Sequence, residues 1–147
     1  MVNEHSIEIT TSKERVFKEV VLWGESQWWP KDSLTQFVNL RSEIDIGTVY
    51  LQKVKLTLAP RWHVKITDIK DLEYIRRDFL DGMFEGYEVV SVESCGDNVS
   101  VRYKMNYTVR GFFNKFMWKS IFEKLHNQNI TNILINMKQY LEKSLNN

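Results

Sequence analysis

The stretch Tyr87 to Val109, YEVVSVESCGDNVSVRYKMNYTV, constrains the fold more than any other part of the chain, because it reads as a long antiparallel hairpin closed at Gly96-Asp97. A two-residue turn there pairs Cys95 with Asn98, Val92 with Val101 and Val90 with Tyr103. Side chains alternate across a strand, so Val90, Val92, Val101 and Tyr103 share one face, which Met105, Tyr107 and Val109 continue. Arg102, Lys104 and Asn106 point the other way. The same register sets Glu88 opposite Met105 and so brings a carboxylate to an apolar face.

Upstream, the segments FVNLRSE, TVYLQKVKL, WHVKITDI and EYIRRDFL also read as strands. Their separators are short and rich in turn residues, and short connections make antiparallel neighbours. Trp62, Val64 and Ile66 form an inward set that leaves His63 on the surface, whereas neither face of YIRRDFL is wholly apolar. Before these strands, SIEIT alternates Ile7 and Ile9 with polar neighbours, and the period then changes. Thr11 with Glu14 three residues on makes a capping-box pattern, and Val16, Phe17, Val20 and Val21 follow at helical spacing to about Leu22. Gly24 and Pro30 bracket the tryptophan cluster WGESQWWP, and KDSLTQF predicts a second short helix.

After Gly111 the period is helical to the end. Phe113, Met117, Ile121 and Leu125 fall on one stripe; Ile130, Ile133, Leu134, Met137 and Leu141 fall on another. The polar HNQN between them, His126 to Asn129, predicts a bend or an exposed turn. A helix of some 30 residues is ~45 Å long, so it must lie across a curved sheet.

Composition excludes several function classes. A chain of 147 residues fits one domain and buries roughly 70% of its unfolded surface. Twenty Lys and Arg against nineteen Asp and Glu, with no basic run, leave no electrostatic footprint for nucleic acid. The start, MVNEHSIEITT, lacks a basic segment followed by an apolar run, and no stretch approaches the ~20 apolar residues of a membrane helix. The expectation is a cytoplasmic protein with no transmembrane segment; nothing in the sequence sets an oligomeric state. Cys95 has no disulfide partner, and His5, His63 and His126 show no metal-ligand spacing, so neither a metal nor a cofactor is expected. There is no Ser-His-Asp order, no paired carboxylate spacing and no glycine-rich phosphate loop.

The order of elements, with IEITTSKERVFKEV, SQWWP and ILINMKQYLEKS at its landmarks, resembles the START/polyketide-cyclase (SRPBCC) superfamily, the helix-grip fold shared with birch-pollen-allergen-like proteins. The resemblance covers nearly the whole chain as a single START-like domain. It implies an α+β fold: a seven-stranded antiparallel sheet wrapped around a long C-terminal helix, two short helices after strand 1, and a mostly apolar cavity between sheet and helix. It also implies binding or transport of a small hydrophobic molecule such as a lipid, sterol, quinone or polyketide. The alternatives are a polyketide cyclase or hydrolase and a protein-interaction module that uses its outer surface. No catalytic residue carries over, because the superfamily has no common catalytic motif.

The cavity candidates follow from these readings. Trp23 reads as core. Trp28 and Trp29 are adjacent and diverge in any regular conformation, so one should face the core and the other the cavity rim. Trp62, Val90, Val101, Tyr103, Met105 and Tyr107 lie on inward faces, and Phe113 and Met117 lie where the long helix begins. Of the Arg76–Arg77 pair, Arg76 is the one expected to enter the cavity, to meet a ligand carboxylate or Glu88. Glu88, if buried, would have a raised pKa suited to acid or base catalysis. The simpler expectation is that a bulge or slipped register turns it to solvent.

Overall fold

The computed structural model describes residues 1–143. Strand β1 (Val2–Ile9) and helix α1 (Lys13–Val21) open the chain. Strands β2 (Thr35–Asn39), β3 (Val49–Val54), β4 (Arg61–Lys70), β5 (Tyr74–Phe79), β6 (Phe84–Cys95) and β7 (Asn98–Val109) follow. They form one seven-stranded sheet in the order β1-β7-β6-β5-β4-β3-β2, with every neighbouring pair antiparallel. The β6–β7 hairpin has the register read from its turn: Cys95 pairs with Asn98, Val92 with Val101, Val90 with Tyr103 and Glu88 with Met105. Its apolar face is buried along the whole of β7, from Val99 through Tyr103 to Val109. Each side chain of this kind contributes ~1.5–3 kcal/mol when fully buried.

Helix α1 begins one residue later than the capping box suggests. Ser12 is the cap, its hydroxyl accepting from the Arg15 amide at 3.4 Å, while Thr11 Oγ1 accepts from the Arg15 side chain at 3.1 Å. The helix buries Val16, Phe17 and Val20 and packs against β5, β6 and β7. KDSLTQF, Lys31 to Phe37, forms no second helix: residues 22–34 wind through single turns, and Thr35 to Phe37 open β2. Amide-to-carbonyl bonds join Glu25 to Leu22, Trp29 to Ser26 and Ser33 to Pro30 at 2.8–3.1 Å. Gly24, at φ +88°, and Pro30, which has no N–H to donate, keep these turns from joining into a helix.

The C-terminal segment runs as α2 (Phe112–Met117), a π-helical turn (Trp118–Phe122) and α3 (Glu123–Lys143). It is continuous through His126–Asn129, where the sequence predicts a bend. The change of stripe occurs four residues earlier, because the π turn closes on a wider ring and inserts an extra residue into the helical period. Consequently α2 buries none of its residues, Trp118 is buried, and α3 buries Asn129, Ile130, Ile133, Leu134, Met137 and Leu141. Among the described residues, no helix is long and apolar enough to cross a membrane.

Asn129 ties the helix to the winding segment. Its Oδ1 accepts from Ser33 Oγ and from the Leu34 amide, both at 3.0 Å, and its Nδ2 donates to Thr35 Oγ1 at 2.9 Å. Asn129→Leu strips the Leu34 amide of its acceptor in a buried setting and is expected to cost about 1–3 kcal/mol. Urea denaturation reads the difference, and an unchanged midpoint would show that the clamp carries no stability.

Candidate functional site

The sheet curves around the helical segment and leaves a cavity of about 50 Å³ between them. Trp62, Phe79, Met83, Phe84 and Met105 line it from the sheet, and Trp118, Phe122 and Leu125 line it from the helix. Besides Thr35, which Asn129 engages, five polar side chains interrupt this apolar wall: Gln52, Glu88, Tyr103, His126 and Asn129. Gln52 is occupied, accepting from Trp62 Nε1 at 3.1 Å, and Asn129 is held as described above. The other three form a cluster of a different kind.

Glu88 is buried, with 2% of its surface exposed. The expectation of a bulge or slip is corrected: β6 and β7 pair without interruption from Phe84 to Cys95, so the alternation that buries Val90 and Val92 also buries Glu88. The Tyr103 hydroxyl donates to Glu88 Oε2 at 3.0 Å, whereas Oε1 makes no hydrogen bond within the protein. Burial raises the Glu88 pKa, and the Arg77 charge and the Tyr103 hydrogen bond partly offset the rise.

Arg77, not Arg76, is the inward arginine. Ile75, Arg77 and Phe79 are the buried positions of β5, and Arg77 pairs across the sheet with Glu88. Arg76 faces outward, where it donates to Asp78 at 2.8 Å and lies 3.9 Å from the centre of the Tyr87 ring. Arg77 is fully buried, and none of its three guanidinium nitrogens finds an acceptor within the protein. Burial lowers its pKa, and the carboxylate of Glu88 is the strongest influence opposing that. Tyr50, beside this group, has a hydroxyl without a partner and a pKa pushed by burial to about 12.

His126 packs against Tyr103 and Trp118, with ring centroids 5.8 and 5.5 Å away, and its Nε2 is shut off from solvent without a hydrogen bond. Burial, helped by His5, lowers its pKa to about 4, so the ring is neutral at neutral pH. The cavity therefore presents a carboxyl oxygen and a neutral imidazole nitrogen, both unpaired, on an otherwise apolar wall. Groups of this type move or share a proton with a bound molecule.

The other sequence candidates are distributed differently. Trp62, Tyr103 and Met105 line the cavity alongside Glu88. Val90 and Val101 are buried in the core outside it, and Tyr107 is buried with its hydroxyl accepting from Trp118 Nε1 at 2.9 Å. Phe113 and Met117 line an outer groove that shares Pro60, Met83 and Phe122 with the cavity. Neither Trp28 nor Trp29 reaches the cavity. The turns of residues 22–34 bring the two rings together at 5.9 Å instead of splaying them, and Trp29 meets Trp23 at 5.3 Å. Trp28 Nε1 donates to buried Glu19 at 2.6 Å, and Trp29 Nε1 donates to the Thr35 carbonyl at 3.3 Å. Gln52, Arg77, His126 and Asn129 are the residues that sequence reasoning passed over. His126 does share the helical spacing of Ile130, Ile133 and Met137, a signal present in the sequence.

No family model matches the sequence, and no curated protein matches it either. Solved structures do. Norcoclaurine synthase from Thalictrum flavum, a point mutant in complex with a transition state analogue, superposes with a TM-score of 0.75 at 11% identity, covering 99% of this chain and 96% of that one. The protein TTHA0849 from Thermus thermophilus gives 0.74 at 16% identity over 98% and 99% of the two chains. A START superfamily protein from Mycobacterium smegmatis gives 0.70 at 12% identity over 97% and 98%. The chain has the helix-grip fold. In helix-grip terms, the long helix is the gripped element, the curved sheet is the hand, and Glu88 and Tyr103 sit in the palm with His126 of the helix lining the same cavity.

Proposed function

We propose that this helix-grip protein binds a small, mostly apolar molecule with one neutral hydrogen-bonding end, such as a hydroxyl or carbonyl, directed at Glu88 and His126. The observation that carries the reading is the pair of unpaired atoms, Glu88 Oε1 and His126 Nε2, on one apolar wall. Buried polar atoms without partners are costly, and a ligand that supplies the missing bonds recovers that cost. At about 50 Å³ the cavity is far smaller than the ~300–1,000 Å³ of ligand pockets, so occupancy requires the walls to part. The π turn carrying Trp118 and Phe122 is the wall suited to this, since such turns inside helices recur at functional sites.

The test is a thermal-melt screen of lipid-free protein against long-chain fatty acids, sterols, quinones and flavonoids. A matching ligand at 100 times its dissociation constant stabilises by ~2.7 kcal/mol, which raises the melting temperature by several degrees. Trp62 and Trp118 line the cavity, so binding is expected to change indole fluorescence; Trp118→Phe should reduce that signal and Trp28→Phe should preserve it. Flat melts across all four classes would remove the binding reading.

A second reading, acid–base chemistry on the bound molecule, is favoured by the convergence of Glu88, Tyr103 and His126 on one cavity. The shared fold with norcoclaurine synthase adds only analogy, because one fold carries many activities. Turnover abolished by Glu88→Gln, with ligand melts retained, would establish it.

A further inference from the structure

Half of the exposed large apolar side chains gather in two segments, the β3–β4 connection and the start of the C-terminal helix. Phe112, Phe113 and Phe116 of α2 are 90%, 71% and 61% exposed, and Leu56, Leu58 and Ile121 are exposed beside them. The β3–β4 connection brings Leu56 and Leu58, and the α2–π segment brings Phe113 and Ile121, to the two lips of a groove of about 570 Å³, with Phe112 and Phe116 on the same short helix. Pro60, Met83 and Phe122 line both this groove and the inner cavity, so the groove is its mouth. Leu58 stands fully exposed on a left-handed backbone, φ +59°, a conformation costing a bulky residue about 1–2 kcal/mol.

The charge around the groove is one-sided. Residues 53–61 carry Lys53, Lys55 and Arg61, residues 110–122 carry Arg110, Lys115 and Lys119, and neither segment contains an acidic residue, although the chain as a whole is +1. Lys53 and Arg61 are even direct cross-strand partners, an arrangement that costs stability. Of the acidic residues next to this rim, Glu85 and Asp81 are engaged by Arg110 and His63, and Glu123 follows the second segment directly, which leaves the basic residues in excess.

We infer that this end of the molecule docks on an anionic lipid surface, the phenylalanines and Leu58 inserting among the acyl chains while the lysines meet the headgroups. Aromatic residues and basic rims are what such an interface selects. A second copy of the chain fits less well. A two-fold contact sets a patch against itself, and here it would press the same basic rim onto its own copy. Docking would place the mouth of the cavity against the bilayer, so an apolar ligand could enter without crossing water. The inference stands apart from the cavity reading because it rests on the outer rim.

Sedimentation of the full chain with phosphatidylcholine vesicles, with and without phosphatidylserine, tests it. The protein is expected to bind the phosphatidylserine vesicles, to bind the neutral ones at least tenfold more weakly, and to be released by high salt. Lys115→Gln with Lys119→Gln should weaken binding about 25-fold, about fivefold per basic residue. Phe113→Ser with Phe116→Ser should weaken it at least tenfold. Leu40→Ser, in the β2–β3 loop, should leave it unchanged, and thermal melts confirm that each variant folds. Equal binding to neutral and anionic vesicles, or binding to neither, would overturn the inference. So would a concentration-dependent dimer that the double phenylalanine variant converts to monomer.

Discussion

Replacing Glu88 by leucine is expected to destabilise the fold by about 3–5 kcal/mol, a large part of the ~5–15 kcal/mol available to a domain. The loss arises elsewhere than at position 88. Arg77 is fully buried with no acceptor in reach, and Glu88 is the strongest of the charges that hold it ionised. Removing the carboxylate leaves a guanidinium in an apolar setting, and it also takes the acceptor from the Tyr103 hydroxyl. Removing both charges has the opposite consequence. Arg77→Met with Glu88→Leu is expected to match the wild type or exceed it by about 1–4 kcal/mol, because well-packed apolar groups avoid desolvating two ions. Urea denaturation of the two single variants and the double closes the cycle. Single costs that simply add up in the double would show that Arg77 and Glu88 act independently.

The second large effect is a pH dependence. His126 titrates near 4 in the folded chain because burial, with His5 nearby, opposes its charge, against 6.5 for a free imidazole. Between those values the unfolded chain binds a proton that the folded chain refuses, so stability falls as pH drops from about 6.5 towards 4. The full difference is worth about 3 kcal/mol. Glu88 acts with the opposite sign. Its raised pKa means that the folded state keeps a proton the unfolded state has released, so its contribution is lost as pH rises through the folded value. The two windows overlap, and the wild-type profile alone does not separate them. Comparison with His126→Phe does: the wild type should lose about 3 kcal/mol relative to the variant between pH 6.5 and 4. Parallel profiles would mean that the ring is solvated.

Much of the architecture was legible because it rests on local pattern. Gly96-Asp97 sets the β6–β7 register, the alternation through Val90 and Val101 selects the buried face, and the helical period after Gly111 announces the long helix. The candidate site was less legible, and three residues show why. YIRRDFL has no wholly apolar face, so only its pairing with β6 decides that Arg77 turns inward and Arg76 outward. His126 and Asn129 look like a solvated turn because polar residues interrupt an apolar stripe; the π turn, invisible in composition, rotates them into the cavity.

The tryptophans make the same point from the other side. Adjacent indoles diverge in a helix or a strand, but a run of single turns has neither period, and half-buried Trp29 packs against Trp28 in the core. The sequence by itself determined most of the elements, their order and the strand pairing of the last hairpin, since each follows from contacts between near neighbours in the chain. Only the tertiary structure decided which charged side chains are buried, because burial depends on segments that meet from distant parts of the chain: β5 against β6, and the helix against the sheet. A carboxylate reads the same in sequence whether it faces water or Tyr103.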